Sequence, residues 1–165
     1  MRYQYFVLSF LLLGMTGAVH AQTGSPLTKE QQQTTTEGLQ IAKKDPFGAY
    51  LTDTEGHAVY IFSKDKDGKS LCNGPCMEGW PPVRSKGRPN AGDGIDQSKI
   101  GVIDKEGGAS QITYDKHPLY YYKQDKGTQA TSGQDAYSYD GDWNLIAPNG
   151  EPIKSKRPGE IPQER

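Results

Sequence analysis

The chain reads as an all-β domain in which two tandem copies of a hairpin-based unit pack as a small antiparallel, sandwich-like body behind a polar N-terminal linker. Three observations lead there. Residues 48–66 and 108–126 align without a gap at an offset of 60, with Gly48/Gly108, Ala49/Ala109, His57/His117, Tyr60/Tyr120, Asp65/Asp125 and Lys66/Lys126 as identities. Short aromatic and β-branched runs alternate with turn-forming residues through the middle of the chain. Hydrophobic residues make up only 33% of the sequence beside 20 Gly and 11 Pro, so the core is small and the loops are many.

The first residues carry the marks of a secretory signal: Arg2, an apolar run over 5–13, and Val19-His20-Ala21 at the cleavage positions. Cleavage is expected near Ala21, which leaves a periplasmic or secreted protein. The apolar run falls short of the about 20 residues that span a bilayer, so no membrane span is expected. Residues 22–44 are polar and read as a linker, partly helical over 29–43, where Leu39 and Ile41 are the main apolar residues. The folded domain is then 45–150. Residues 151–165 hold three prolines and alternating charges and read as a disordered tail.

Within the domain, residues 49–53 and 58–64 flank Thr54-Glu55-Gly56 as a hairpin. The second copy repeats this with 110–114, a turn at Asp115-Lys116, and 118–124. Further strands are expected over 100–104, before a Gly107-Gly108 turn, and over 143–147. A short edge segment is expected over 80–84, because Pro81 and Pro82 cannot donate to a ladder. Period-two alternation places Tyr60 and Phe62 on one face with Val59 and Ile61 on the other. Tyr120 and Tyr122 repeat the first face, Leu119 and Tyr121 the second. Apolar residues on both faces mark a buried central strand in each copy.

The formal net charge is −1, one unit more negative once Arg2 is lost, which argues against nucleic acid as a partner. The two cysteines, Cys72 and Cys76, enclose Asn73-Gly74-Pro75, and in an oxidising compartment a local disulfide is the default. A loop this short stabilises by only about 2 kcal/mol on the loop-entropy model.

The segments Tyr60-Ile61-Phe62-Ser63-Lys64-Asp65 and Tyr120-Tyr121-Tyr122-Lys123-Gln124-Asp125 resemble the Y-x-(F/W/Y)-x-x-D signature of the secreted-repeat family of predicted bacterial lipoproteins. Gly48-Ala49-Tyr50-Leu51-Thr52-Asp53, Trp80-Pro81-Pro82-Val83, His117-Pro118-Leu119-Tyr120 and Ala147-Pro148-Asn149-Gly150 resemble other blocks of that family in order. The resemblance implies an exported envelope protein of uncharacterised activity. The chain lacks the lipobox cysteine of lipoprotein members, which implies a protein free of a lipid anchor.

The repeated Tyr, aromatic and Asp (Tyr60, Phe62, Asp65; Tyr120, Tyr122, Asp125) read first as structure: two rings in the core, and an Asp that accepts backbone N–H groups in the following turn. Convergence of Asp65 and Asp125 as paired carboxylates is the functional alternative. Asp65-Lys66-Asp67-Gly68-Lys69-Ser70 partly resembles the start of a calcium loop, without its closing Glu. Cys72 and Cys76 with His57 or His117 offer a thiolate–imidazole set of the kind that suits copper or zinc. Tyr137, Tyr139, Asp140, Asp142 and Trp143 lie in a polar, Gly- and Asp-rich stretch, where aromatic faces beside carboxylates suit a sugar or a protein partner. There is no G-x-S-x-G elbow, no HExxH and no phosphate-cradling Gly loop followed by Lys. The expectation is an exported, non-catalytic binding domain for an envelope protein or small ligand; the alternative is a periplasmic metal-binding or thiol-redox protein using Cys72, Cys76 and a His.

Overall fold

The computed structural model describes residues 36–104 and 110–155, all within the compact unit Gln32–Arg165. The signal segment, most of the linker, the Gly107-Gly108 turn and the tail beyond residue 155 lie outside the described residues. Strands dominate: β1 (Gly38–Lys44), β2 (Gly48–Asp53), β3 (Tyr60–Phe62), β4 (Arg84–Ser85), β5 (Asn90–Ala91), β6 (Ile100–Ile103), β7 (Ser110–Tyr114), β8 (His117–Pro118), β9 (Ala136–Ser138) and β10 (Gly141–Leu145). One short α-helix, α1 (Pro75–Gly79), interrupts them.

The all-β, two-repeat architecture is distributed over three small sheets, ordered β2-β1-β5, β3-β10-β9, and β4-β7-β6 with β8 on β7. Nearly every pairing is antiparallel; β1 and β5 run parallel. That parallel contact is so close that a Cβ on Gly38 would stand 2.5 Å from the Asn90 carbonyl oxygen, so only glycine fits there. In the second copy Asp115 and Lys116 both take positive φ (47° and 66°), the mirror-image turn that matches strand twist, and the hairpin closes tightly at Tyr114↔His117. In the first copy only Thr52↔Ala58 bridges the two arms before β3 leaves to pair with β10.

The strand expected over 118–124 is reduced to β8 and isolated bridges at Tyr120, and two further expectations need correction. Residues 38–44 are a strand and not part of a helical linker: Asp45-Pro46-Phe47 folds β1 back on β2, and the two pair from Leu39↔Asp53 to Lys44↔Gly48. A helix with two main apolar residues has little to bury, whereas the ladder satisfies the backbone of both segments. At the other end, residues 151–155 are not a free tail. The Ile153 N–H donates to the Leu145 carbonyl at 2.8 Å, and Ile146 bridges Pro152.

The alternation read from the sequence divides the interior into two cores. Val59, Ile61 and Leu119 enter an aliphatic cluster with Leu51, Val83 and Ile112. Tyr60, Phe62 and Tyr120 enter an aromatic cluster with Trp80 and Trp143. There the rings form a column: Phe62 stacks on Trp143 (4.2 Å between centroids), Trp143 on Trp80 (3.9 Å) and Trp80 on Tyr122 (4.3 Å). Tyr120 meets Trp143 edge-on and Tyr60 meets Trp80 edge-on, so each half of the column mirrors the other. Both indole N–H groups find Ser138, Trp80 through its hydroxyl (3.1 Å) and Trp143 through its carbonyl (3.3 Å).

The two copies meet at Tyr60 and Tyr120, which exchange both backbone N–H···O bonds (2.8 and 2.9 Å). Their side chains cross over as well. The Tyr60 hydroxyl donates to Asp125 Oδ2 at 2.7 Å, and the Tyr120 hydroxyl donates to Asp65 Oδ2 at 2.8 Å. Each carboxylate then closes its own following loop, Asp65 Oδ1 accepting from the Leu71 N–H (2.7 Å) and Asp125 Oδ1 from the Ser132 N–H (2.8 Å). The loop after Asp125 passes directly over the rings, since a Cβ on Gly133 would lie 2.9 Å from Trp80.

Burial, reinforced by the hydrogen bond and charge of Asp125, holds the Tyr60 hydroxyl proton far above the ordinary tyrosine range; burial and the Asp65 charge do the same for Tyr120. Both phenols stay protonated in the folded chain while their unfolded counterparts ionise near pH 10, so this contribution to stability is complete below about pH 10 and falls as pH rises beyond it. Thermal unfolding measured across alkaline pH is expected to show that decline, shallower in Tyr60→Phe; an unchanged slope in that variant contradicts the assignment. Trp143→Ala opens the middle of the ring column and is expected to cost about 3–5 kcal/mol in denaturant titration.

Candidate functional site

The strand pairing places two clefts at pseudo-equivalent positions. The first, about 190 Å³, is lined by Asp53, His57, Ala58, Tyr121, Tyr122 and Asp125. The second, about 170 Å³, is lined among others by Ile61, Phe62, Asp65 and His117. Under the offset of 60, His57 corresponds to His117, Tyr122 to Phe62 and Asp125 to Asp65. The correspondence fails at two polar residues of the first cleft, Asp53 and Tyr121, which align with Thr113 and Ile61.

Those two residues organise the first cleft. Asp53 ends β2 and is 2% exposed. Its Oδ1 accepts the backbone N–H groups of Glu55 and His57, both at 2.9 Å, so the carboxylate shapes the Thr54-Glu55-Gly56 turn from inside. Its Oδ2 accepts the Tyr121 hydroxyl at 2.9 Å and stands 3.0 Å from His57 Nδ1. Because a carboxylate accepts, Nδ1 is the donor of this pair. Glu55 Oε2 lies 3.7 Å from the same Nδ1. Burial, with the charge and hydrogen bond of Asp53, drives the Tyr121 hydroxyl far above its ordinary range and keeps it a donor. The result is an imidazole held in one orientation at the rim of a cleft whose other polar groups are two carboxylates and two phenols.

The residues singled out in the sequence are distributed differently. Tyr60, Phe62, Tyr120 and Tyr122 belong to the aromatic core or pack against it. Asp65 and Asp125 do not share a cleft: Asp125 lines the first and Asp65 the second. Cys72 and Cys76 form a disulfide, Cα–Cα 5.3 Å, around the first turn of α1. Both sulfurs are thereby occupied. Among the described residues the His, Cys, Asp and Glu side chains that come together in metal-ligand fashion are Asp53, Glu55 and His57, without either cysteine and without His117. Tyr137 and Tyr139 are exposed (70% and 48%), with the Tyr139 hydroxyl donating to the Pro75 carbonyl at 3.0 Å. Trp143 is fully buried in the ring column, which removes it from any surface site beside Asp140 and Asp142.

Asp53, Glu55 and Tyr121 were not among the candidate residues in the sequence. The signal was nonetheless present in the repeat: Asp53 of the first copy aligns with Thr113, and Tyr121 of the second with Ile61.

A family model described as a secreted repeat of unknown function matches residues 42–84 and 101–147, and the chain belongs to that family. Each matched stretch contains one of the two copies described above. No curated protein and no solved structure matches the chain. No helix among the described residues is long and apolar enough to cross a membrane.

A hydrogen bond to a charged, buried acceptor contributes about 1.5–3 kcal/mol. Tyr121→Phe is therefore expected to lower stability by that amount in denaturant titration and to broaden the His57 ring resonances; an unperturbed His57 spectrum rules out a shared network.

Proposed function

We propose that this protein is an exported, non-catalytic binding module of the cell envelope, and that its small-ligand seat is the first cleft. The observation that carries the reading is the asymmetry between the copies. The Tyr–Asp crossings and the ring column recur in both halves, so they serve the fold. The Asp53–Tyr121–His57 network joins the two copies and has no counterpart related by the repeat, because Thr113 stands at the place of Asp53 and Ile61 at that of Tyr121. The buried carboxylate that closes its own turn thus also orients an imidazole toward a cleft. Binding is favoured over catalysis because, among the described residues, no serine, threonine or cysteine lines that cleft for His57 to activate. The secreted character of the family and the signal-like N-terminus support an envelope location.

The test is amide-resolved NMR of the mature chain against cell-wall saccharides, amines and metal salts. Shifts confined to 53–58 and 121–125, reduced in His57→Ala, are expected. Shifts centred on Tyr137, Tyr139, Asp140 and Asp142 would move the seat to that exposed loop and remove the first cleft from consideration.

A further inference from the structure

We infer that the Asp53-Thr54-Glu55-Gly56-His57 turn is a binding site for one divalent transition-metal ion of the zinc(II) or copper(II) class, held by His57 Nδ1, Asp53 Oδ2 and Glu55 Oε2. The inference rests on the binding reading above and names the ligand class for that cleft.

The donor spacing carries it. Zinc–nitrogen and zinc–oxygen bonds of about 2.0–2.1 Å at tetrahedral angles place neighbouring donors about 3.3 Å apart. His57 Nδ1 stands 3.0 Å from Asp53 Oδ2 and 3.7 Å from Glu55 Oε2, and all three donors fall within 4.8 Å of one another. An ion in this triangle takes the place of the Nδ1 proton, which passes to solvent. The donor chemistry, one imidazole and two carboxylates, suits a borderline divalent metal; the soft thiolate route is closed by the Cys72–Cys76 disulfide.

The surroundings are those of a ligand site and not of an exposed acidic patch. Asp53 is buried and tethered by Tyr121 and by two backbone N–H groups, which fixes a first-rank donor before any ion arrives. His57 and Glu55 remain open to solvent, 39% and 63% exposed at their side chains, and so provide an entry path. Among the described residues no lysine or arginine lines the cleft, so no side-chain cation there pairs with the carboxylates. The second copy has Thr113 at the place of Asp53, and its His117 stands outside any such cluster among the described residues.

Zinc sulfate titrated into the metal-free mature chain by calorimetry, with copper sulfate in parallel, tests the assignment. One ion per chain is expected, at least about tenfold weaker in Glu55→Gln and lost in His57→Ala, with His117→Ala unchanged. Glu55 is exposed, and retention of the near-ultraviolet signal of the stacked tryptophans shows that its variant is folded. Failure to take up either metal overturns the inference, and so does uptake that survives both Glu55→Gln and His57→Ala, which marks an adventitious ion only. If metal binding fails while an amine or saccharide still shifts 53–58 and 121–125, the metal assignment falls and the binding reading stands; if nothing shifts them, both fall.

Discussion

The structure depends on one exchange between its halves: Tyr60 and Tyr120 share a reciprocal pair of backbone hydrogen bonds, and each phenol crosses to the carboxylate of the other copy. A buried hydroxyl without an acceptor is costly, so neither copy satisfies its own tyrosine and each requires the other. The same carboxylates hold the loops that follow them, through the Leu71 and Ser132 N–H groups. Closing the dyad therefore closes two loops. One of them leads to the disulfide, α1 and Trp80; the other leads through Gly133 to β9, β10 and Trp143.

From that exchange the aromatic column follows. With Tyr60 and Tyr120 paired back to back, their same-face neighbours Phe62 and Tyr122 point outward at the two ends, and Trp143 and Trp80 fill the space between as a stacked pair. Ser138 receives both indole N–H groups, which allows two tryptophans to be buried together without an orphaned donor. The three sheets are short because their main task is to carry side chains to this centre and to the aliphatic cluster beneath it.

A scaffold that is two-fold in its core leaves two clefts at its flanks, and differences between them stand out against the shared background. Tyr122 and Phe62 are both rings and Asp125 and Asp65 both bind a crossing phenol, so those positions answer to the fold. Asp53 and Tyr121 are not repeated: Thr113 and Ile61 stand at their places. Their hydrogen bond sets the Asp53 carboxylate beside His57 Nδ1, and the corresponding His117 sits in a hairpin closed by backbone pairing at Tyr114.

The sequence by itself determined the repeat, the β class, the alternation that separates Tyr60 and Phe62 from Val59 and Ile61, the cysteine pair and the turn role of Asp65 and Asp125. Each of these is a local matter: strand periodicity, turn chemistry and short-range closure are written in neighbouring residues. Only the tertiary structure decided that the Tyr–Asp bonds run between copies, that residues 38–44 pair as a strand, that Trp143 is buried and that Asp53, His57 and Tyr121 converge. Asp53 and Tyr121 are 68 positions apart and meet through a hydrogen bond that no local pattern announces. The strand choice for residues 38–44 likewise turned on β2 and β5 as partners, because a sparse apolar stripe cannot stabilise a helix that a ladder can replace.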